Sequence, residues 1–149
     1  MTENKVIIQV DGSCVNNGGE NLPVMAGYAW VVLDQGRNEC QHKAKKLSKG
    51  LYPATETRCE MAGLICALEW LKSNPTVTAC IESDSKSTVD GILGKAKRKQ
   101  NRDLWEPIER LIPELTDRIE SIQFIKREYN SLADGYAREV AHALFVNGD

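Results

Sequence analysis

The sequence predicts an α/β domain, a mixed sheet of five strands with helices packed on it. Three observations carry that reading. The run Val6-Ile7-Ile8-Gln9-Val10-Asp11 is apolar on both faces apart from Gln9 and its terminal aspartate, the pattern of a central strand covered on each side. Glu56 to Lys72 repeats Met61, Leu64, Ile65, Leu68 and Leu71 at three and four residues, the spacing of an amphipathic helix. The segment order is βββαβααβα, in which helical crossovers make the flanking strands parallel.

Taken in order, the first strand ends in Asp11-Gly12, a turn pair, and a loop rich in turn formers follows from Gly12 to Gly19. Ala26 to Leu33 is a second apolar strand, the Asp34-Gln35-Gly36 turn reverses the chain, and the polar segment Glu39 to Lys45 reads as an edge strand. These three strands form an antiparallel meander. The long helix from Glu56 stops at Ser73-Asn74-Pro75. Val77 to Ser83 is a short apolar strand ending in Asp84, and a short helix is expected from Ser85 towards Ile92. A compact basic run, Lys95, Lys97, Arg98, Lys99 and Arg102, precedes a helix on Leu104, Ile108, Leu111 and Ile112 that Pro113 ends or kinks. Ile122 to Lys126 is the last strand. Asn130-Ser131 opens a final helix with Ala133, Tyr136, Ala137, Val140 and Leu144 along one face.

The 149 residues suit one domain spanning 1–149 with a substantial core, and 42% hydrophobic with 27% charged residues is ordinary for a globular chain. The net charge of −2 gives no global basic field, so attraction to nucleic acid has to come from a local patch. No apolar run approaches the roughly 18–20 residues of a membrane span, and Met1-Thr2-Glu3-Asn4-Lys5 is no signal peptide. The five cysteines (14, 40, 59, 66 and 80) lack paired spacing and read as reduced thiols. A cytoplasmic, free-standing, monomeric protein is the expectation.

Four acids stand at element edges, and each has a local explanation. Asp11-Gly12 is a turn pair. Thr57 to Glu60 and Ser131 to Asp134 have the form of capping boxes, and Asp84 precedes a helix as an N-cap would. Considered together they have another meaning. Asp11 and Asp84 end strands that a crossover helix makes parallel neighbours, Glu60 lies in the first turn of the long helix, and Asp134 opens the last one. Carboxylates converging there repel one another, and a divalent cation relieves the repulsion. An all-oxygen ligand set suits Mg²⁺ or Mn²⁺. His42, on the edge strand, and His142, near the chain's last helical turn, are expected to be structural or surface residues.

Asp11-Gly12-Ser13-Cys14, Thr55-Glu-Thr-Arg58-Cys-Glu60, Glu82-Ser-Asp84-Ser85, Asn101-Arg-Asp-Leu-Trp105 and Arg127 to Arg138, with its Ala-Asp134-Gly-Tyr-Ala-Arg segment, resemble the type 1 ribonuclease H family in order and near-family spacing. The resemblance covers essentially the whole chain. It implies a ribonuclease H-like fold, a five-stranded mixed sheet with a three-stranded antiparallel meander and two parallel strands. It also implies an endonuclease that cuts the RNA strand of RNA–DNA hybrids. Asp11, Glu60, Asp84 and Asp134 match the family's metal-binding carboxylates, which hold two Mg²⁺ (or Mn²⁺) ions and leave 5′-phosphate and 3′-hydroxyl ends.

For the substrate, the resemblance implies contacts to the RNA side from Ser13, Cys14 and Asn17, and to a DNA-strand phosphate from Thr55 and Asn101. Lys86 stands where the family has a glutamine, and Pro53 where that phosphate pocket often has an arginine. The basic protrusion shrinks to Lys95–Arg102. The histidine loop before the last acid is replaced by Lys126 to Asn130, where Arg127 or Glu128 takes its place and Arg127 is also a candidate phosphate contact. Two other identities compete: a non-catalytic module that binds hybrid or double-stranded RNA, and a nuclease for double-stranded RNA or a detached reverse-transcriptase domain.

Overall fold

The computed structural model describes residues 4–15 and 25–143. Within them run β1 (Asn4–Cys14), β2 (Ala26–Leu33), β3 (Glu39–Lys46), α1 (Glu56–Ser73), β4 (Val77–Ser83), α2 (Lys86–Ile92), α3 (Arg102–Leu115), β5 (Ile119–Phe124) and α4 (Ser131–His142). The five strands form one sheet in the order β3-β2-β1-β4-β5. The β1–β2 and β2–β3 pairs are antiparallel, whereas β1–β4 and β4–β5 are parallel, as the crossover argument requires.

Alternation along the central strands builds two cores. Ile8, Val10, Trp30 and Val32 point to one face and pack with Leu64, Leu68 and Leu71 of α1 and with Leu104, Ile108 and Leu111 of α3. Ile7, Val31 and Leu33 point to the other face and meet Ala133 of α4. Every residue of β2 is buried, while β3 is mostly exposed, the edge strand its polar sequence implies. None of the five cysteines is in a disulfide. No helix among the described residues is long and apolar enough to cross a membrane.

Three boundaries differ from the sequence reading, each because tertiary packing overrides a local signal. The first strand does not turn at Asp11-Gly12: it continues to Cys14, with Gly12 opposite Tyr28 and Ser13 opposite Gly27 on β2. Glycine is needed at 12 because it lies against the backbone of α1, where a Cβ would sit 2.6 Å from Cys59 Cβ. Pro113 does not end its helix. The buried stripe Leu104, Ile108, Leu111 and Leu115 carries α3 through both Pro107 and Pro113. The last strand begins at Ile119, which pairs with Ala79, and ends at Phe124, before Lys126. Leu144 of the expected final stripe lies outside the described residues.

Candidate active site

The parallel ladder between β1 and β4 has its last rung at Val10–Ser83, so Asp11 and Asp84 each stand one residue past it, side by side. Glu60 enters from the first turns of α1, which lies directly against β1 at Gly12. Asp11, Glu60 and Asp84 each present a carboxylate oxygen within 4.8 Å of the others. Asp11 and Glu60 are only 1% and 4% exposed, and the Asp84 side chain 7%.

The local explanations for these acids do not hold. The N-cap of α1 is Thr55, whose hydroxyl accepts the Arg58 N–H at 3.1 Å, so Thr57 to Glu60 is no capping box. The cap of α2 is Ser85, not Asp84. At α4 the cap position is Asn130, which makes no capping bond; its buried amide donates instead to the Val10 carbonyl at 2.9 Å, and Ser131 to Asp134 forms no box. Ser85 caps α2 and Asn130 ties α4 to β1, so none of these carboxylates caps a helix. Asp11 Oδ1 accepts the Gly12 N–H at 2.8 Å and Glu60 accepts the Ser83 hydroxyl at 3.4 Å. Asp11 Oδ2 and Asp84 Oδ2 are buried with no hydrogen-bond partner among the described residues.

Burial, followed by the neighbouring acids, pushes Glu60 well above the usual carboxylate range. Burial likewise raises Asp11 to about 7, with the charges of Asp84 and Asp134 adding to it and a shared hydrogen bond with Glu60 opposing it. Buried carboxylates, orphaned oxygens and the absence of nitrogen or sulfur donors in the cluster fit a hard divalent cation.

Asp134, the fourth acid, is not within that 4.8 Å group. It sits in the first turn of α4, paired with Arg138 Nε at 3.1 Å, near enough for its charge to raise Asp11. Arg127 is turned to the acids: its Nη2 meets Glu56 at 2.9 Å and its Nε lies 3.7 Å from Asp84 Oδ2. Glu128 is exposed and no described bond brings it to the site. Lys86 lines the hollow of about 310 Å³ beside Glu60, Asp84 and Arg127, and pairs with Asp90. Ser13 and Cys14 line a smaller hollow of about 200 Å³ with Arg127, Asp134 and Arg138. His142 also lines it, nearer the acids than a purely surface role suggested, while His42 bonds Glu39 and stacks on Tyr136. Asn17 lies outside the described residues.

A further hollow, of about 520 Å³, adjoins the one beside Lys86 through Thr57 and Ser87. Thr55, Lys97, Lys99 and Asn101 are among its lining residues, which include no carboxylate. Within the basic run, Arg98 and Arg102 are both held by Glu109, and Arg98 lies over the Trp105 ring. Sequence reasoning missed Arg58, which is buried and bonded to both Asn101 and Asp103. A signal was available: Arg58 stands three and seven residues before Met61 and Ile65, a charge on the apolar stripe of its helix.

Residues 9–140 match the Reverse transcriptase-like family. Ribonuclease H of Clostridium botulinum (strain Hall) is 30% identical over 91% of this chain and 94% of its own length. Ribonuclease H of Pseudoalteromonas translucida is 31% identical over 93% and 91% respectively. Among solved structures, LC11-RNase H1, isolated from compost and captured in complex with an RNA/DNA hybrid, superposes with a TM-score of 0.72 at 25% identity, covering 91% of this chain and 96% of that one.

Proposed function

The chain belongs to the ribonuclease H family and is an enzyme of that family, and from this premise we propose that it hydrolyses the RNA strand of RNA–DNA hybrids with the aid of divalent cations at Asp11, Glu60 and Asp84. The observation that carries the reading is the meeting of three buried carboxylates, two of them with orphaned oxygens, at the end of the parallel ladder. A protein that used this cluster only for folding would bear the repulsion without gain.

Two Mg²⁺ or Mn²⁺ ions bound there would activate a water and neutralise charge on a leaving 3′-oxygen. Asp11, Glu60 and Asp84 would hold them, and Asp134, in the first turn of α4, would complete the negative site from its far side. Arg127 already spans Glu56 and Asp84 and can reach a phosphate at the mouth, standing in for the family's histidine loop. Ser13 and Cys14, on the continued end of β1, would follow the RNA strand, where contact with 2′-hydroxyls separates RNA from DNA. Lys86 would meet the backbone beside the acids. The carboxylate-free hollow at Thr55 and Asn101 suits the phosphates of the second strand. Cleavage in this sense leaves 5′-phosphate and 3′-hydroxyl ends.

The test is a cleavage assay with labelled RNA–DNA, RNA–RNA and DNA–DNA duplexes in Mg²⁺ or Mn²⁺. The hybrid should be cut in its RNA strand, and Asp11→Asn should abolish cutting while leaving hybrid binding intact. A wild-type protein that binds the hybrid and leaves it whole in both metals would be a binding module instead.

A further inference from the structure

Arg58 is the most heavily used buried side chain outside the acid cluster. Its side chain is 9% exposed. Its guanidinium donates to the Leu51 carbonyl at 2.9 Å, to Asn101 Oδ1 at 3.2 Å, and through both forks to Asp103 at 2.9 and 2.6 Å. Its backbone N–H donates to Thr55 Oγ1 at 3.1 Å. One residue therefore holds the segment before α1, the cap of α1 and the start of α3.

The direction of these bonds matters more than their number. Arginine has donors and no acceptor, so Asn101 must turn its amide oxygen inward to Arg58, which leaves its NH₂ pointing away from the guanidinium. Thr55, the cap of α1, accepts the backbone N–H of residue 58 whatever side chain stands there, and its hydroxyl proton can donate outward. Both residues line the 520 Å³ hollow, and neither outward donor has a partner among the described residues. Asn101 adopts a left-handed backbone (φ 58°) at the start of α3 and makes no capping bond, so its side chain is committed to Arg58 instead.

We infer that Arg58 is a positioning residue for substrate: by holding the amide oxygen of Asn101 it fixes that residue as an outward donor beside the Thr55 hydroxyl, so that the pair receives one phosphate of the DNA strand. This rests on the hybrid reading above and assigns Arg58 no contact with nucleic acid. Glutamate or aspartate in its place would draw the Asn101 NH₂ inward and turn its oxygen to the hollow. Lysine would keep the charge and lose the fork that spans Leu51, Asn101 and Asp103.

The experiment measures binding of RNA–DNA hybrids by fluorescence anisotropy in magnesium-free buffer. The hybrids carry a single uncharged methylphosphonate at successive DNA-strand positions. Wild-type protein should show one position at which Kd rises about tenfold, the size of one missing hydrogen bond to a charged group. Asn101→Gly, which suits the left-handed backbone, and Arg58→Lys should each weaken binding of the unmodified hybrid and reduce that positional penalty, since the Thr55 donor remains. A merely structural arginine would lower the melting temperature and leave the penalty where it was. A folded Arg58→Lys that keeps the full penalty overturns the inference, as does a wild-type protein with no such position. Asp103→Asn, at a half-exposed partner, is the second variant should Arg58→Lys fail to fold: a reduced penalty supports the inference and an unchanged one overturns it. Cleavage of the unmodified hybrid is scored separately, so a protein that binds with the expected pattern but never cuts counts against the nuclease reading alone.

Discussion

Asp84 shows how a single residue in this protein is placed against its own stability. Its charge helps to raise both Asp11 and Glu60, and its Oδ2 is buried without a hydrogen bond. The one cation paired with it among the described residues, Arg127 at 3.7 Å, is mostly exposed and offsets little of that repulsion, so removing the charge should stabilise the metal-free protein. Asp84→Asn is expected to gain about 1 kcal/mol, the scale of one pK unit of like-charge repulsion, and so to raise the melting temperature by about 2–4 °C. The same change should remove most of the stabilisation that Mg²⁺ gives the wild type and lower cleavage by roughly 10²–10³. Thermal melts with and without Mg²⁺ check it; a variant that melts lower than wild type without metal would show that Asp84 supports the fold after all. The acids themselves were legible in the sequence because each is polar at the edge of an element, Asp11 and Asp84 where the parallel ladder ends and Glu60 and Asp134 where helices begin. Their freedom from capping was not, since it depends on Thr55, Ser85 and Asn130 taking the cap positions one or more residues away. Arg58 was hidden for the opposite reason: its partners Leu51, Asn101 and Asp103 are up to 45 residues distant.

Between elements, α2, α3 and the basic segment joining them form a unit whose geometry depends on Glu109. Arg102 and Arg98 converge on that carboxylate and hold it down to about 2, well under its ordinary value. Arg98 also donates to the Gly91 carbonyl at the end of α2 and covers Trp105, whose ring leaves no room for a Cβ at Gly91. A folded-state pKa lowered in this way contributes stability that is present above the unfolded value near 4.5 and is lost as pH falls towards 2. Glu109→Gln is accordingly expected to flatten the acid limb of the stability curve between those values, and urea melts across that range measure it. An acid limb as steep as the wild type's would assign the acid sensitivity to other carboxylates. The sequence showed these helices but left open whether α3 stops at Pro113, a strong local stop; the stripe ending in Leu115 is the stronger tertiary signal, and the helix continues. It likewise showed β1 and mistook Asp11-Gly12 for a turn. Gly12 serves close approach to α1, a purpose that periodicity does not distinguish from turning.

Over the whole molecule the charge is nearly balanced, at −2, yet it is divided by function. The acids gather at the end of the parallel ladder, and the adjoining 520 Å³ hollow has lysines and amides without a carboxylate. The two arginines of the basic run are tied to the single Glu109 carboxylate, so the cations with no such tie there are Lys95, Lys97 and Lys99, all exposed and without an ion pair among the described residues. A hybrid spanning both hollows would place its reactive strand on the acids and its other strand across these lysines, so the repulsive and attractive regions act on different strands of one ligand. The consequence is measurable through counterion release. The double change of Lys97→Gln and Lys99→Gln should weaken hybrid binding about equally for every base sequence. It should also reduce the slope of log Kd against log salt by about 2, near 0.9 for each phosphate that the lysines no longer neutralise. Cleavage at saturating substrate should stay close to wild type, because neither lysine touches the acids. A slope that does not move would mean that the hybrid passes elsewhere, and an equal fall in turnover would mean that the lysines shape the acid site instead of holding the strand beside it.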